Sequence, residues 1–185
     1  MKVILKAVRL AFAQALFEAE DYQNDGKFKF SSTFLIDKAQ KATIAEIENA
    51  IKQVAAAKWG AKAEAILKSI RGNSNKFCFR DGEEKPDYDG FEGQMYIKAS
   101  NKARPLVLDC DRTPLTAADG RPYSGCYVNA TITIFAYDSN GNKGISASLG
   151  GVQFLRDGDA FGGGIPASVD DFDDISEGAD ADALI

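Results

Sequence analysis

The chain has 185 residues, 45% of them hydrophobic, a composition that suits one soluble domain with an appendage and lies above that of disordered chains. It contains no histidine, which excludes Ser-His-Asp and Cys-His catalysis and imidazole metal sites together. The formal net charge of −5 divides unevenly: nine acids and no base follow Arg156, so the body up to that residue sets 22 bases against 18 acids, 27 less 9, a formal +4. A mildly basic body with a strongly acidic end is the asymmetry of an interaction tail. No apolar run approaches the roughly 20 residues needed to span a bilayer. Charge interrupts Met1-Lys2-Val3-Ile4-Leu5-Lys6 too early for a secretory signal. Both features predict a cytoplasmic protein. The three cysteines, Cys78, Cys110 and Cys126, form no CxxC pair and read as reduced, mostly buried thiols.

In chain order, residues 2–12 predict a first strand. Residues 27–36 predict a second, with Phe28, Phe30, Phe34 and Ile36 on one face at period two and Asn24-Asp25-Gly26 as the preceding turn. The two are expected to pair antiparallel. Thr43-Ile44-Ala45-Glu46 has the form of a capping box, and Ile44, Ile47, Ile51 and Val54 follow at helical spacing. Trp59-Gly60 breaks that helix, and a second runs from Ala61 to Ile70. Short strands follow at 76–80, 94–100 and 106–110, with a charged loop over 81–93 and a turn-rich insert over 111–125. Strands at 126–137 and 144–155 close the body around the Ser139-Asn140-Gly141-Asn142 turn. The inward parity of the last strand shifts across Gly150-Gly151, which predicts a β-bulge.

The fold class expected is a mainly β barrel, an OB-fold, with a helical insertion over residues 1–157. The stretch 158–185 carries Gly162-Gly163-Gly164, lacks hydrophobic periodicity and reads as a flexible acidic tail. Its root-mean-square reach would be roughly 30 Å.

Single-strand binders without sequence preference need cations along the phosphates and flat rings for the bases. Alternation over 94–100 places Met95, Ile97 and Ala99 on one face and Tyr96 with Lys98 on the other. Lys76 and Arg80 share a face around Phe77-Cys78-Phe79. The expected phosphate contacts are Lys76, Arg80, Lys98, Lys102 and Arg104, and the expected stacking rings are Tyr88, Phe91 and Tyr96. In the tail, Asp170, Asp171, Phe172, Asp173 and Asp174, with the terminal Leu184-Ile185, form an acidic and partly apolar segment suited to competing for a basic groove or docking a partner. A metal-dependent nuclease could use Asp81, Glu83, Glu84, Asp87 and Asp89, or Asp109 and Asp111, but the loop acids lack the spacing of an EF-hand, and Asp109 and Asp111 stand at a strand end beside a turn, where acids are commonly just solvated. No catalytic residue, metal or cofactor is called for. A nuclease or resolvase, and an acidic protein that mimics DNA, remain the rival readings.

The sequence resembles the phage single-stranded DNA-binding proteins grouped as the DUF2815 family, from about Lys6 to Phe172. Its pieces are Phe30-Ser31 to Lys38, Lys58-Trp59-Gly60, Arg80-Asp81-Gly82-Glu83-Glu84-Lys85, Tyr96-Ile97-Lys98-Ala99 and Tyr123-Ser124-Gly125-Cys126-Tyr127-Val128. Lys143-Gly144-Ile145-Ser146 and Leu155-Arg156-Asp157-Gly158 continue the series in order. Asp37, Gly150-Gly151 and Ala11-Phe12 depart from the usual pattern. The resemblance implies an OB-fold, single-stranded DNA as partner during phage replication or recombination, and a removable acidic tail. The chain is read as performing no enzymatic activity and, if phage-encoded, as acting in the bacterial host cytoplasm.

Overall fold

The computed structural model describes residues 1–162 and 172–173. Seven strands and two α-helices run in the order β1 (Lys2–Ala11), β2 (Phe30–Asp37), α1 (Lys41–Trp59), α2 (Ala63–Ile70), β3 (Phe79–Asp81), β4 (Gln94–Asn101), β5 (Leu106–Leu108), β6 (Tyr127–Ser139) and β7 (Asn142–Arg156). All of them follow the expected elements within about three residues.

β1 pairs antiparallel with β2 on one side and β6 on the other, β2 pairs with β4, and β6 pairs with β7. β4 then meets β7 in parallel at Ser100 and Ser148. The circuit β1-β2-β4-β7-β6 therefore closes on itself as a five-stranded barrel. The parallel seam is short, and the segment before and through β3 fills it. Phe77 bridges to Ile145 of β7, while Phe79–Asp81 pairs with β4. Inward residues alternate along β6 as Val128, Ala130, Ile132 and Ile134, all fully buried. The helices cover one end of this core through Ile47, Ile51, Leu67 and Ile70.

Two irregularities re-aim side chains. On β7 the register passes from Thr131–Gly151 to Ile132–Leu149, so Gly150 is the extra residue of the expected bulge. A second bulge falls at Lys6-Ala7 of β1, where Ala7 has a φ of 52° and its N–H donates to Asn129 Oδ1 at 3.0 Å. It lets both Leu5 and Val8 face the core and turns Arg9 outward, which strict alternation from Lys2 would not do. The β6–β7 turn has Asn140 and Gly141 at φ 52° and 81°, the left-handed pair of a type I′ hairpin.

Three local expectations are corrected. Helix α1 begins at Lys41 with Gln40 as its unbonded cap, not at Thr43. Gln40 Oε1 accepts from the Asp37 amide at 3.1 Å and Asp37 Oδ1 from the Ala39 amide at 2.8 Å, so the reciprocal contact lies upstream of the Thr43–Glu46 pair. Phe28 is exposed rather than sharing the buried face of Phe34 and Ile36, because strand pairing with β4 starts only at Phe30. Cys110 is exposed, whereas Cys78 and Cys126 are buried.

The chain does not leave the body at residue 158. Tyr123 Oη donates to Asp157 Oδ1 at 2.7 Å, the Gly158 amide donates to Tyr123 Oη at 3.2 Å, and the Phe161 amide donates to Ser124 O at 3.0 Å. Residues 157–162 thus form a strap across the β6 end of the barrel. Gly125, at φ 108°, makes this approach feasible, since a Cβ there would meet the backbone of Asp159 and Ala160. No helix of the described residues is long and apolar enough to cross a membrane.

Candidate nucleic-acid interface

A cleft of about 640 Å³ crosses the outer face of β2 and β4. One wall comes from the β1–β2 loop, which brings Tyr22, Lys27 and Lys29. The opposite wall comes from the loop over 82–93, which brings Lys85, Tyr88 and Phe91, with Phe12 of the β1 end beside them. Tyr137 and Ser146 of the β6–β7 hairpin and Asn75 close one end.

Alternation along β4 turns two residues to the cleft side but leaves only one of them accessible. Tyr96 and Lys98 do share the outer face. Tyr96 is nevertheless 1% exposed, because Leu35 of the neighbouring strand, Ala11, and Phe91 from the loop over 82–93 roof it. Lys98 lies one step beyond that roof and is exposed on the cleft floor. Partial desolvation by the cleft walls, followed by the charges of Lys85 and Arg80, holds the Lys98 ammonium below the usual lysine range although the side chain reaches solvent. Clustered like charges of this kind favour an anion that relieves them. Among the described residues, Lys29, Lys85 and Lys98 take part in none of the side-chain ion pairs.

The rings form a connected series: Phe12 to Tyr88 at 5.6 Å edge-on, Tyr88 to Phe91 at 5.5 Å and Phe91 to Tyr96 at 5.3 Å. Tyr88 is the exposed end of the series, 49% accessible, and Phe91 is 3% exposed. Tyr88 is therefore the ring of this series open to the cleft, while Phe91 and Tyr96 support it from behind and are too buried to stack, contrary to expectation.

Arg80 is not a free cation either. Its guanidinium is buried, grips Glu84 through Nε at 2.6 Å and Nη2 at 2.9 Å, and donates to Arg71 O at 2.7 Å. It ties the end of α2 to the turn after β3. Arg80→Ala is accordingly expected to cost about 2 kcal/mol of stability, because it strips a buried hydrogen-bonded pair and leaves the Arg71 carbonyl without that donor. Arg80→Lys should rescue little, since an ammonium cannot bridge a carboxylate in two places. Urea unfolding reads both effects, and an unchanged midpoint in Arg80→Ala would refute this assignment.

Lys102 and Arg104 are exposed in the β4–β5 connection, outside the cleft lining. The Arg104 guanidinium sits over Phe30 at 5.1 Å and donates to Phe17 O at 3.0 Å. Lys76 is half-buried between the lining residues Asn75 and Phe77. Of the tail residues, Asp170, Asp171, Asp174, Leu184 and Ile185 lie outside the described residues, and Phe172 is exposed. Sequence reasoning missed Phe12, Tyr22, Lys27, Lys29 and Lys85 as cleft residues. Lys27 and Lys29 could have been found from their alternation with Phe28 and Phe30, but nothing local marks the other three.

Of the acids considered as metal ligands, Asp81, Glu83, Glu84, Asp89, Asp109 and Asp111 are engaged with the chain itself. Asp81 pairs with Lys38 at 2.9 Å and accepts from the Glu83 amide, which with Lys38 holds its carboxyl below the ordinary range. Asp109 binds Arg121, whose guanidinium lowers its carboxyl likewise. Burial pushes the Cys78 thiol up to about 12 and Cys126 up to about 11, so neither is a thiolate nucleophile near neutral pH.

The same fold occurs in phage single-stranded DNA-binding proteins of known structure. The single-stranded DNA-binding protein from bacteriophage Enc34, solved in complex with ssDNA, superposes with a TM-score of 0.67 at 22% identity over 87% of this chain and 89% of that one. Bacteriophage T7 gp2.5, a single-stranded DNA-binding protein, gives a TM-score of 0.51 at 13% identity over 84% of this chain and 91% of that one. The family model for the ssDNA-binding protein of Enterobacter phage Enc34 matches residues 1–184, and the chain belongs to that family. It is also similar to the p50 protein of Acyrthosiphon pisum secondary endosymbiont phage 1, with 55% identity over 185 residues, all of this chain and 99% of that protein.

Proposed function

We propose that this chain is a single-stranded DNA-binding protein without sequence preference. It coats and protects exposed strands during phage DNA replication and recombination in the host cytoplasm, and it performs no chemistry. The observation that carries the reading is the cleft, where Lys98, in no ion pair among the described residues, lies on the floor beside Lys85 and the exposed Tyr88 ring. Its position supports an OB reading of the barrel. With β1, β2, β4, β6 and β7 taken as the five barrel strands, the cleft lies on the second and third, between the first and last hairpin loops, where OB-folds bind oligonucleotides. The groove is lined by four lysines, Lys27, Lys29, Lys85 and Lys98, and by two exposed rings, Tyr22 and Tyr88, with Glu20 and Asp25 also in its lining. Cations beside exposed rings suit phosphate contact and stacking.

The acidic tail is proposed to compete with DNA for this cleft and to dock replication or recombination proteins. The strap supports the first part, because Gly162 sits against Asp89, beside Tyr88 at the cleft rim, where the acidic segment begins.

Titration of fluorescent oligothymidine, with duplex and RNA controls, tests the central reading. Tyr88→Ala is expected to weaken binding by about 1–3 kcal/mol, the scale of one stacked base. Lys98→Ala is expected to weaken it and to make the salt slope shallower by about 0.7, one phosphate contact on a single strand. Wild-type affinity and slope in both variants would place the DNA elsewhere. Cleavage of labelled DNA in magnesium would establish the nuclease instead.

A further inference from the structure

We infer that Phe161, in the strap after β7, is the positioning residue for the aromatic wall of the cleft. It holds the loop over 82–93 so that Tyr88 stands where a base can stack. The inference rests on the cleft being the DNA site.

The tip of that loop has little to hold it from within. Between Lys85 and Phe91 its backbone makes two bonds of its own, Tyr88 N to Lys85 O at 3.1 Å and Phe91 N to Tyr88 O at 3.5 Å. The strap supplies the rest. The Phe161 ring lies directly on Gly90, where any Cβ would collide with it, and Gly90 has a φ of 81° that other residues rarely adopt. The Gly162 amide donates to Asp89 Oδ2 at 2.9 Å. On its other side the ring is held by Arg9, whose guanidinium lies 4.4 Å from the ring centroid. Arg9 is fixed in turn by donating to Gly125 O at 2.9 Å and Asp159 O at 2.7 Å. Phe161 also packs with Phe12 on the small apolar cluster of Ala11, Leu35, Phe91 and Tyr96, the same cluster that backs Tyr88. A barrel residue, the strap and the ring-bearing loop are therefore clamped at one point. That point lies behind the stacking ring rather than in the cleft, since Phe161 does not line the floor where Lys98 lies.

A ring that acts by orienting another predicts a pattern of coupling. In the full-length chain, Phe161→Ala should lower oligothymidine affinity about five- to tenfold, toward the lower end of what one stacked base contributes. The salt slope should stay at its wild-type value, because no phosphate contact is removed. The effect should fall below about twofold in a Tyr88→Ala background, where there is no ring left to orient, and persist in full in Lys98→Ala. Gly90→Ala, which expels the ring while keeping Phe161, should reproduce the loss. Hydrogen exchange of the amides over 85–91 should rise in both variants without DNA present. Wild-type affinity in Phe161→Ala and Gly90→Ala, or an equal loss with and without Tyr88, would overturn the positioning role while leaving the DNA-binding reading intact. If the wild-type chain itself fails to bind oligothymidine, both fall.

Discussion

Truncation after Gly164 is expected to tighten single-stranded DNA binding at low salt by about thirtyfold. The cut removes seven of the nine acids that follow Arg156 and changes the formal charge from −5 to +2, while keeping the strap and Phe161. A tail that visits the cleft must be displaced before DNA binds, so its deletion removes a competitor. Seven carboxylates, each contributing the few tenths of a kcal/mol of a solvent-screened ion contact, sum to about 2 kcal/mol, which gives the thirtyfold. The gain should shrink as salt rises through about 0.1 M, where exposed charges are screened within roughly 10 Å. Duplex binding should strengthen in the same protein, because uncovered lysines act on either form. Melting should stay as cooperative as in the full chain. Equal or weaker affinity at low salt, with folding intact, would leave the tail as a docking or solubility element only.

The second large effect concerns Tyr96, and it is on stability rather than binding. Tyr96→Ala should cost about 3–5 kcal/mol, since it empties a fully buried ring site between Leu35 and Phe91. Tyr96→Phe should do the reverse. The Tyr96 hydroxyl is buried and makes no hydrogen bond of normal geometry among the described residues, and burial, then the Glu84 carboxylate, raises its pKa against the opposing pull of the nearby Arg80 guanidinium. Removing an unsatisfied buried oxygen recovers about 1 kcal/mol or more. Thermal or urea unfolding of the three proteins reads both signs. A Tyr96→Phe protein less stable than wild type would show that the hydroxyl does find a partner. DNA affinity in Tyr96→Phe should stay near wild type, whereas a stacking role would be expressed in Tyr96→Ala without any loss of stability.

Much of the architecture is local in origin and was legible in the residues. The alternation of Val128, Ala130, Ile132 and Ile134, the Asn140-Gly141 turn and the Gly150 bulge each follow from neighbours a few positions apart. So does the charge division at Arg156, which needs only counting. The shared outward face of Tyr96 and Lys98 was likewise a property of β4 alone. What alternation cannot supply is which outward residues a distant segment then covers. The loop over 82–93 roofs Tyr96 and stops short of Lys98, Glu84 claims Arg80, and Phe161 reaches back from beyond β7 to Gly90. Each of these depends on contacts that form only when the barrel has closed and brought remote loops together. The residues themselves determined a β barrel with a basic body and an acidic end. Tertiary packing decided which of its rings and cations face the solvent, because burial on an outer face is set by what lands on it and not by the strand beneath.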